Sequence, residues 1–321
     1  MHDMGVLGAR LGQVADDVVG VTRTLMTPRG VIGAATEFAW QATHLAIYPW
    51  GLLRDRLIID EARLRLDDLP PIRRSLAVGD VEAASTPIVL LHGVGDNRSI
   101  FALLRRGLRR RGFDRVLGYN YSPFSSDIRD VAAELADVIE KLCEETGFER
   151  IHVIGHSMGG LVARYYVQRL GGDARVHTLV TLGTPHSGTQ VARLVPHPLA
   201  RQLRPDSDLQ SELAEPAECR TRFLAVWSDL DQVVIPQRSA RVDHPDLGAR
   251  NVLVRGVGHQ SLPVHGRVIH EICTALAHLD HEGTQTSAGV TSLTAERGRR
   301  PGRSGAAKNT TAAPARRARR N

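Results

Sequence analysis

The chain has 321 residues, of which 42% are hydrophobic and 24% charged, and its formal net charge is +6. This hydrophobic fraction is enough for one large folded domain or two smaller ones, which excludes a chain that is disordered throughout. The three cysteines are widely spaced and match no metal-ligand pattern, so the sequence supports neither a disulfide framework nor a metal site.

The positive charge is concentrated near the C-terminal end of the chain. Residues 281–321 contain nine Lys and Arg against two Glu, a net charge of +7, which leaves −1 for residues 1–280. This basic tail has few large apolar side chains and is predicted to be disordered, with weak adhesion to anionic lipid or nucleic acid as the alternative to a purely solvated segment. Because the rest of the chain is nearly neutral, we expect no specific nucleic-acid partner.

Residues 1–80 are predicted to form an N-terminal helical extension. The first residues show no basic stretch leading into a compact apolar run, so we expect no signal peptide and a cytoplasmic or peripherally membrane-associated protein. An apolar segment at 30–53 is interrupted by Glu37, Gln41 and His44, which makes a membrane span costly. We expect an amphipathic helix packed on the protein body, with contact to a membrane surface or a partner as the alternative.

Strand and helix signals alternate through residues 81–280, the predicted catalytic domain. Helices are expected at 99–111, 127–147, 158–171 and 266–279, and strands at "TPIVLLHG", "RVLGYNYS", "RIHVIG", "VHTLVTLG", "RFLAVWS" and "NVLVRG". This alternation predicts an α/β fold with a mostly parallel sheet and helices on both faces. The long connection at 183–222, with its four prolines, is interpreted as a lid insertion or, equally well, as an ordinary surface excursion.

The stretch "IHVIGHSMGGLVARYY" places Ser157 between glycines, where a predicted strand turns into a predicted helix. A G-x-S-x-G pattern can arise by chance in a chain with 30 glycines, so the pattern alone does not show that Ser157 is a catalytic nucleophile. Its position at the carboxyl edge of a parallel sheet, where ligands bind, favours a catalytic nucleophile on a tight turn.

A serine nucleophile needs a base held in place by a third group, and in this architecture the acid and then the histidine follow on later loops. His259 directly follows the last predicted strand and is the candidate base. Asp231 and Asp229 both lie in the loop after "RFLAVW"; Asp231 is the preferred acid, and Asp229 is the alternative or a supporting group. The neighbouring His156 is expected to point away from the serine.

Acyl transfer also requires hydrogen-bond donors for the oxygen that becomes negatively charged. One expected donor is the backbone N–H of Met158, the residue after the nucleophile. The other is expected from the loop "LLHGVGDN" after the first strand, where the N–H of Val94 is the candidate.

Together, "HGVGDN", "GHSMGG", "VTLGTPHSGT", "SDLDQVV" and "GARNVLVRGVGHQSL" resemble the α/β-hydrolase fold, most closely the bacterial triacylglycerol lipases and esterases of the lipase class 2 type. The resemblance covers about residues 86–279. It implies the same assignments: Ser157 as nucleophile, Asp231 rather than Asp229 as acid, His259 as base, and Val94 and Met158 as oxyanion donors. No calcium-ligand pattern is visible, and no cofactor is expected.

The sequence therefore predicts a serine hydrolase that cleaves carboxylic esters through an acyl-enzyme, with an ester or lipid as substrate and peripheral contact with a membrane as a further expectation. An acyltransferase or thioesterase with the same triad is one alternative. A membrane-surface adaptor with an inactive hydrolase body, built on residues 40–50 and the basic tail, is the other.

Overall fold

A computed structural model describes residues 22–52, 84–122 and 125–277 of the chain. The predicted tail at 281–321 and residues 1–21 and 53–80 of the predicted extension lie outside the described residues. The helices are α1 Pro28–Gly51, α2 Ala102–Arg110, α3 Ile128–Thr146, α4 Met158–Arg169, α5 Pro198–Gln202, α6 Asp208–Ala214 and α7 Gly266–Leu276. The strands are β1 Ile88–Leu91, β2 Val116–Tyr119, β3 Ile151–His156, β4 Val176–Leu182, β5 Arg222–Ser228 and β6 Arg250–Val254.

The six strands form one sheet in the order β2-β1-β3-β4-β5-β6, and every neighbouring pair is parallel. The chain first moves from β1 to β2 on one side and then crosses to β3 on the other side of β1. The direction of winding therefore changes between β1 and β3. In open α/β sheets ligands bind at the carboxyl ends of the strands at such a point, so the loops after β1 and β3 are placed to form a site.

Helices cover both faces of the sheet, as the sequence predicts. Side chains on one strand alternate between two cores: Val89 and Leu91 pack with α3 and α4, whereas Ile88 and Leu90 pack with α2 and α7. Because both faces are buried, the strands read as continuous apolar runs rather than as alternating ones. The predicted α/β-hydrolase architecture is confirmed.

Local signals define helix α3 at both ends. The side chain of Asp127 accepts a hydrogen bond of 2.9 Å from the backbone N–H of Arg129, which satisfies one of the free donors of the first turn. Gly147 ends the helix in the left-handed conformation, with φ of 72°. The predicted boundaries of 127 and 147 therefore correspond to the two caps.

Helix α1 packs on the protein body through a face that contains Glu37, Trp40 and His44. Glu37 and His44 are buried, whereas Phe38 and Leu45 on the other side of the helix are exposed to 76% and 75%. Gln41, which the sequence places with Glu37 and His44, is exposed. In the part of the chain that the structure describes, no helix is long and apolar enough to cross a bilayer.

The connection between β4 and β5 contains α5 and α6, and both helices are fixed to the body. Leu199, Leu203, Leu209 and Leu213 are buried in the core that also contains α3 and α4. The side chain of Gln202 accepts a hydrogen bond of 2.9 Å from the N–H of Ile128, at the start of α3. The exposed apolar side chains of this connection are Leu194 and Val195, which precede α5.

Candidate active site

Ser157 stands on the turn between β3 and α4, in a conformation that a serine seldom adopts. Its φ is 54° and its ψ is −126°, and among the described residues it alone combines a positive φ with a side chain. Such a conformation costs about 1–3 kcal/mol and persists only where the surroundings impose it. Helix α4 begins at Met158, so the N–H groups of its first turn, which lack partners within the helix, lie directly beside the serine.

Close packing of backbones explains the glycine after the serine. A Cβ atom added at Gly159 would lie 2.5 Å from the carbonyl oxygens of Leu91 and His92, at the end of β1. Real Cβ atoms do not approach backbone oxygens so closely, and the turn therefore requires a residue without a side chain at this position.

Asp231 and His259 form a buried pair. The Oδ2 atom of Asp231 lies 2.7 Å from Nδ1 of His259, and both residues are 1% exposed. The other carboxylate oxygen, Oδ1, accepts hydrogen bonds of 2.8 Å from the N–H groups of Val233 and Val234. Each oxygen of Asp231 thus has a separate partner, which holds the carboxylate in one orientation toward the imidazole.

Asp229, the alternative acid, has a different partner. Its Oδ1 atom accepts a hydrogen bond of 2.7 Å from the N–H of Gly256, and its Oδ2 atom lies 4.0 Å from Nε of Arg255. Asp229 therefore holds the backbone at Gly256, three residues before His259, and does not contact the imidazole in the way that Asp231 does.

The loop after β1 approaches the serine through Gly93. A Cβ atom at Gly93 would lie 2.9 Å from Cβ and 3.4 Å from Oγ of Ser157. The hydroxyl of the buried Tyr121 donates to the carbonyl oxygens of His92 and Gly93, at 2.8 and 3.0 Å, and its ring stacks on His92. Val94, the expected oxyanion donor, follows Gly93 and is 44% exposed.

His156 lies against His259. Its Nε2 atom donates a hydrogen bond of 3.1 Å to the carbonyl oxygen of His259, and the two ring centroids are 4.8 Å apart. The ring of His156, which the sequence analysis expects to point away from the serine, thus connects the end of β3 to the loop that carries His259. Burial holds the pKa of His156 well below its ordinary value, so the ring is neutral.

The pKa of His259 is raised above its ordinary value of 6.5, although burial by itself lowers it. Asp231 contributes most to the increase, through its negative charge and its hydrogen bond. Glu37 and Asp96 add to it through their charges. The surroundings of His259 therefore favour the protonated imidazole.

Glu37 and Asp96 were missed by sequence reasoning. Glu37, on α1, is buried with 8% of its surface exposed, and Asp96, in the loop after β1, is half-buried with a side chain that is 7% exposed. Burial raises the pKa of Asp96 to about 6, against the lowering effects of His259 and of a hydrogen bond from Gln260. The available sequence signals were weak: a lone charge in the apolar segment 30–53 and an acidic residue in the glycine loop.

The structure thus gathers the predicted residues at one edge of the sheet. Asp231 and His259 are in direct contact, Ser157 lies against Gly93 and is followed by Met158, and His156 connects the serine turn with the His259 loop. Among the described residues, no group of three or more His, Cys, Asp or Glu side chains is arranged to hold a metal ion.

Comparisons with known proteins agree with this geometry. A family model described as the alpha/beta hydrolase fold matches residues 86–205, which run from before β1 into the connection after β4. This match and the parallel sheet described above show that the chain has the α/β-hydrolase fold.

Curated relatives match the chain over about 120 residues. A palmitoyl-protein thioesterase-dolichyl pyrophosphate phosphatase fusion from Schizosaccharomyces pombe is 30% identical over 122 residues, which are 35% of this chain and 20% of that protein. A triacylglycerol lipase from Burkholderia plantarii is 27% identical over 129 residues, 38% of this chain and 35% of that protein. The aligned part thus spans between a fifth and about a third of these relatives.

Among solved structures, Aspergillus fumigatus lipase B resembles this chain with a TM-score of 0.54 at 16% identity, over 61% of this chain and 54% of that one. At this level of identity the similarity supports the fold alone.

Proposed function

We propose that the protein is a serine hydrolase of carboxylic esters, with Ser157 as nucleophile, His259 as general base and Asp231 as the acid that orients it. The observation that carries this proposal is the buried contact of 2.7 Å between Asp231 and His259, at the same sheet edge as the strained Ser157. A base held by a third group beside a serine on a tight turn is the arrangement that activates a hydroxyl. The lipase name of a relative supports the choice of esters.

The reaction follows from these contacts. Neutral His259 donates a hydrogen bond from its Nδ1–H group to Asp231 and keeps that proton, so Nε2 carries a lone pair. Nε2 accepts the proton of the Ser157 hydroxyl while Oγ attacks the carbonyl carbon of the ester. The tetrahedral intermediate collapses, the bond to the alcohol oxygen breaks, and Nε2 returns the proton to the leaving alcohol. Water then attacks the acyl-enzyme with the same proton transfers and releases the acid.

The negative oxygen of each intermediate requires donors that are in place before the reaction. We assign these to the backbone N–H groups of Met158 and Val94. Met158 is the first residue of α4, where the helix leaves its N–H groups without internal partners and adds a partial positive charge. Val94 follows Gly93, whose backbone lies against Ser157 and is fixed by Tyr121.

We assign the acyl chain of the substrate to the side of the site next to the connection at 183–222, whose first residue, Gly183, lies beside Asp231 and His259. Its second half is anchored by the buried leucines of α5 and α6. The proposed lid is therefore limited to residues 190–197, which carry the exposed Leu194 and Val195. An apolar surface at this place suits an apolar acyl chain.

Labelling with a fluorophosphonate and hydrolysis of p-nitrophenyl esters of graded chain length test the proposal. The wild-type protein should be labelled and active, and Ser157→Ala should lose both properties while its circular dichroism and melting temperature are retained. Ser187→Ala, at another serine, is the matched control and should be labelled like the wild type. An unlabelled wild type, or activity retained by Ser157→Ala, would contradict the assignment.

The same triad can transfer the acyl group to an alcohol or cleave a thioester, and a product screen distinguishes these reactions. Water, an alcohol acceptor and a palmitoyl thioester belong in the same panel; the thioester is included because one relative is named a thioesterase. Free acid as the main product from oxygen esters is the result that the proposed function requires.

We further propose that the protein contacts membranes peripherally through α1. Glu37 is the one charged residue between positions 30 and 52, and it is buried, so the exposed Arg29 in the first turn is the one charged residue on the outer surface of α1. That surface exposes Val31, Ile32, Phe38, Leu45 and Trp50. An apolar helix surface with a tryptophan is typical of helices that lie in the interfacial region of a bilayer.

Sedimentation with phospholipid vesicles tests this contact. The double variant Phe38→Ser with Leu45→Ser should bind vesicles more weakly than the wild type, whereas Thr36→Ala, at an exposed polar position of α1, should bind equally. Equal binding by the double variant and the wild type would exclude the helix as the contact surface. A dependence on anionic lipid and on salt would show the contribution of the protein's positive charge.

A further inference from the structure

Glu37 of helix α1 holds the two peptide groups that follow His259. Its Oε1 atom accepts a hydrogen bond of 2.7 Å from the N–H of Gln260, and its Oε2 atom accepts one of 2.8 Å from the N–H of Ser261. Hydrogen bonds from peptide N–H groups to a carboxylate are stronger than those between neutral groups. A side chain more than 220 residues away along the chain therefore holds the backbone next to the candidate base.

Glu37 also restricts which residue can stand before His259. A Cβ atom added at Gly258 would lie 2.4 Å from Cδ and Oε2 of Glu37, a distance at which no side chain fits. The loop carries glycine at this position, so the carboxylate can reach the peptide groups beyond it. Glu37 thus contacts the loop on both sides of His259.

Helix α1 also contacts the loop that follows β1. Nε2 of His44 lies 2.9 Å from Oγ of Ser99 and 3.5 Å from Asp96, and the hydroxyl of Tyr48 donates to the carbonyl oxygen of Gly95 at 3.1 Å. The same helix thus bridges the loop of the candidate base and the loop of a candidate oxyanion donor.

We propose that Glu37 is a positioning residue for His259: its carboxylate fixes the loop that presents the imidazole to Ser157, and its negative charge stabilises the imidazolium formed during acyl transfer. This inference rests on the proposed function. It assigns to α1 a role in the active site, although this helix lies outside residues 86–205, the part of the chain that the α/β-hydrolase family model matches.

Four ionisable groups face His259, each from a different element. They are Asp231 from the loop after β5, Asp96 from the loop after β1, His156 at the end of β3, and Glu37 from α1. The neutral His156 adds no charge, and the three carboxyl groups act in the same direction. Loss of Glu37 alone should therefore shift the titration of His259 without abolishing its contact with Asp231.

Three substitutions separate positioning from simple packing. Glu37→Gln removes the charge and offers one acceptor oxygen for two N–H groups, Glu37→Asp keeps the charge on a shorter side chain, and Gln41→Ala changes an exposed position one turn further along α1. For a soluble short-chain ester we expect kcat of Glu37→Gln to fall by about 10- to 100-fold, the range typical of a misplaced catalytic group, with little change in KM. Gln41→Ala should behave like the wild type.

The pH profile is the readout that a purely structural role would not move. In Glu37→Gln the midpoint of the acid limb of kcat/KM should fall by roughly 0.5–1 pH unit, as expected when one nearby charge is removed at an effective protein dielectric. Glu37→Asp should keep the wild-type midpoint even if its kcat is reduced. An unchanged midpoint and kcat in Glu37→Gln, with a lowered melting temperature alone, would overturn the inference.

An NMR titration of the histidine side chains tests the same point without catalysis. The signal of His259 is identified by its loss in His259→Asn, and its pKa should be lower in Glu37→Gln than in the wild type or Glu37→Asp. A wild type without esterase activity or fluorophosphonate labelling would refute the proposed function. An unchanged pKa of His259 in Glu37→Gln would refute the role of Glu37.

Discussion

The Oδ2 atom of Asp231 lies 2.7 Å from Nδ1 of His259, and the other oxygen of Asp231 is held by two backbone N–H groups. This contact selects the Nδ1–H tautomer and leaves Nε2 free to accept a proton. We expect Asp231→Asn to lower kcat by about 10³- to 10⁴-fold with little change in melting temperature, because an amide favours the wrong tautomer.

Asp229→Asn is the matched control for that measurement. The amide oxygen of the variant can still accept the hydrogen bond from Gly256, so we expect a loss of activity below about 10-fold. A larger loss of kcat in Asp229→Asn than in Asp231→Asn would reverse the assignment of the acid.

The raised pKa of His259 predicts the pH range of activity. The base must be neutral, and because its pKa lies above 6.5, the neutral fraction falls as the pH drops through a value higher than for a free histidine. We therefore expect the acid limb of kcat/KM to have its midpoint above 6.5, measured with an ester whose own charge does not change in this range. A midpoint below 6.5 would show that the three carboxyl groups do not outweigh burial.

Gly159 tests the packing of the serine turn against β1. In Gly159→Ala the new methyl group would lie 2.5 Å from two carbonyl oxygens, so strand, turn or helix must shift. We expect a loss of about 1–3 kcal/mol in the free energy of unfolding, measured by urea titration, together with a loss of activity. Gly266→Ala is the control: no neighbouring atom lies within 4 Å of the new Cβ, and alanine is the better residue at the start of α7.

Asp96 makes stability depend on pH in an unusual direction. Its pKa is about 6 in the folded protein and ordinarily 3.8, so the folded state binds more protons between these values, and stability falls as the pH rises through this window. Asp96→Asn removes this cost. A tenfold change in a protonation equilibrium corresponds to about 1.4 kcal/mol, so we expect the variant to be more stable than the wild type by about 2–3 kcal/mol near neutral pH.

Urea unfolding on both sides of the window measures this difference. The gain should be absent near pH 3, where the Asp96 carboxyl is protonated in the folded state and largely so in the unfolded one. Asp137→Asn, on the exposed side of α3, should show no comparable gain. A gain for Asp96→Asn that is equal at both pH values would contradict burial of the charge as its cause.

Much of the site could be predicted because its parts lie next to regular elements. Ser157 follows a buried strand and precedes a helix, and the apolar run and the helical spacing are local properties of the sequence. The order of acid and histidine on later loops then left few candidates: His259 alone among the histidines lies directly after the last strand. Between Asp229 and Asp231 the sequence favoured Asp231 and kept Asp229 as the alternative, because both follow β5 within three residues of its end.

Which face of α1 packs on the protein body could not be predicted from the local sequence. Its sequence shows which positions share a face, but the usual rule that apolar side chains face the body does not hold here. Glu37 is buried because Gln260 and Ser261 supply donors for both of its oxygens, and those donors exist only once the loop after β6 is folded.

The sequence by itself determined the parallel sheet, the position of the serine turn and the short set of residues from which an acid and a base could come, since each depends on hydrophobic periodicity or on neighbours along the chain. The sequence also favoured Asp231 over Asp229, but only the tertiary structure shows the contact of Asp231 with His259 and which side of α1 is buried. The physical reason is the same in both cases: a buried charge is stable only where hydrogen-bond donors surround it, and here those donors come from parts of the chain that folding brings together.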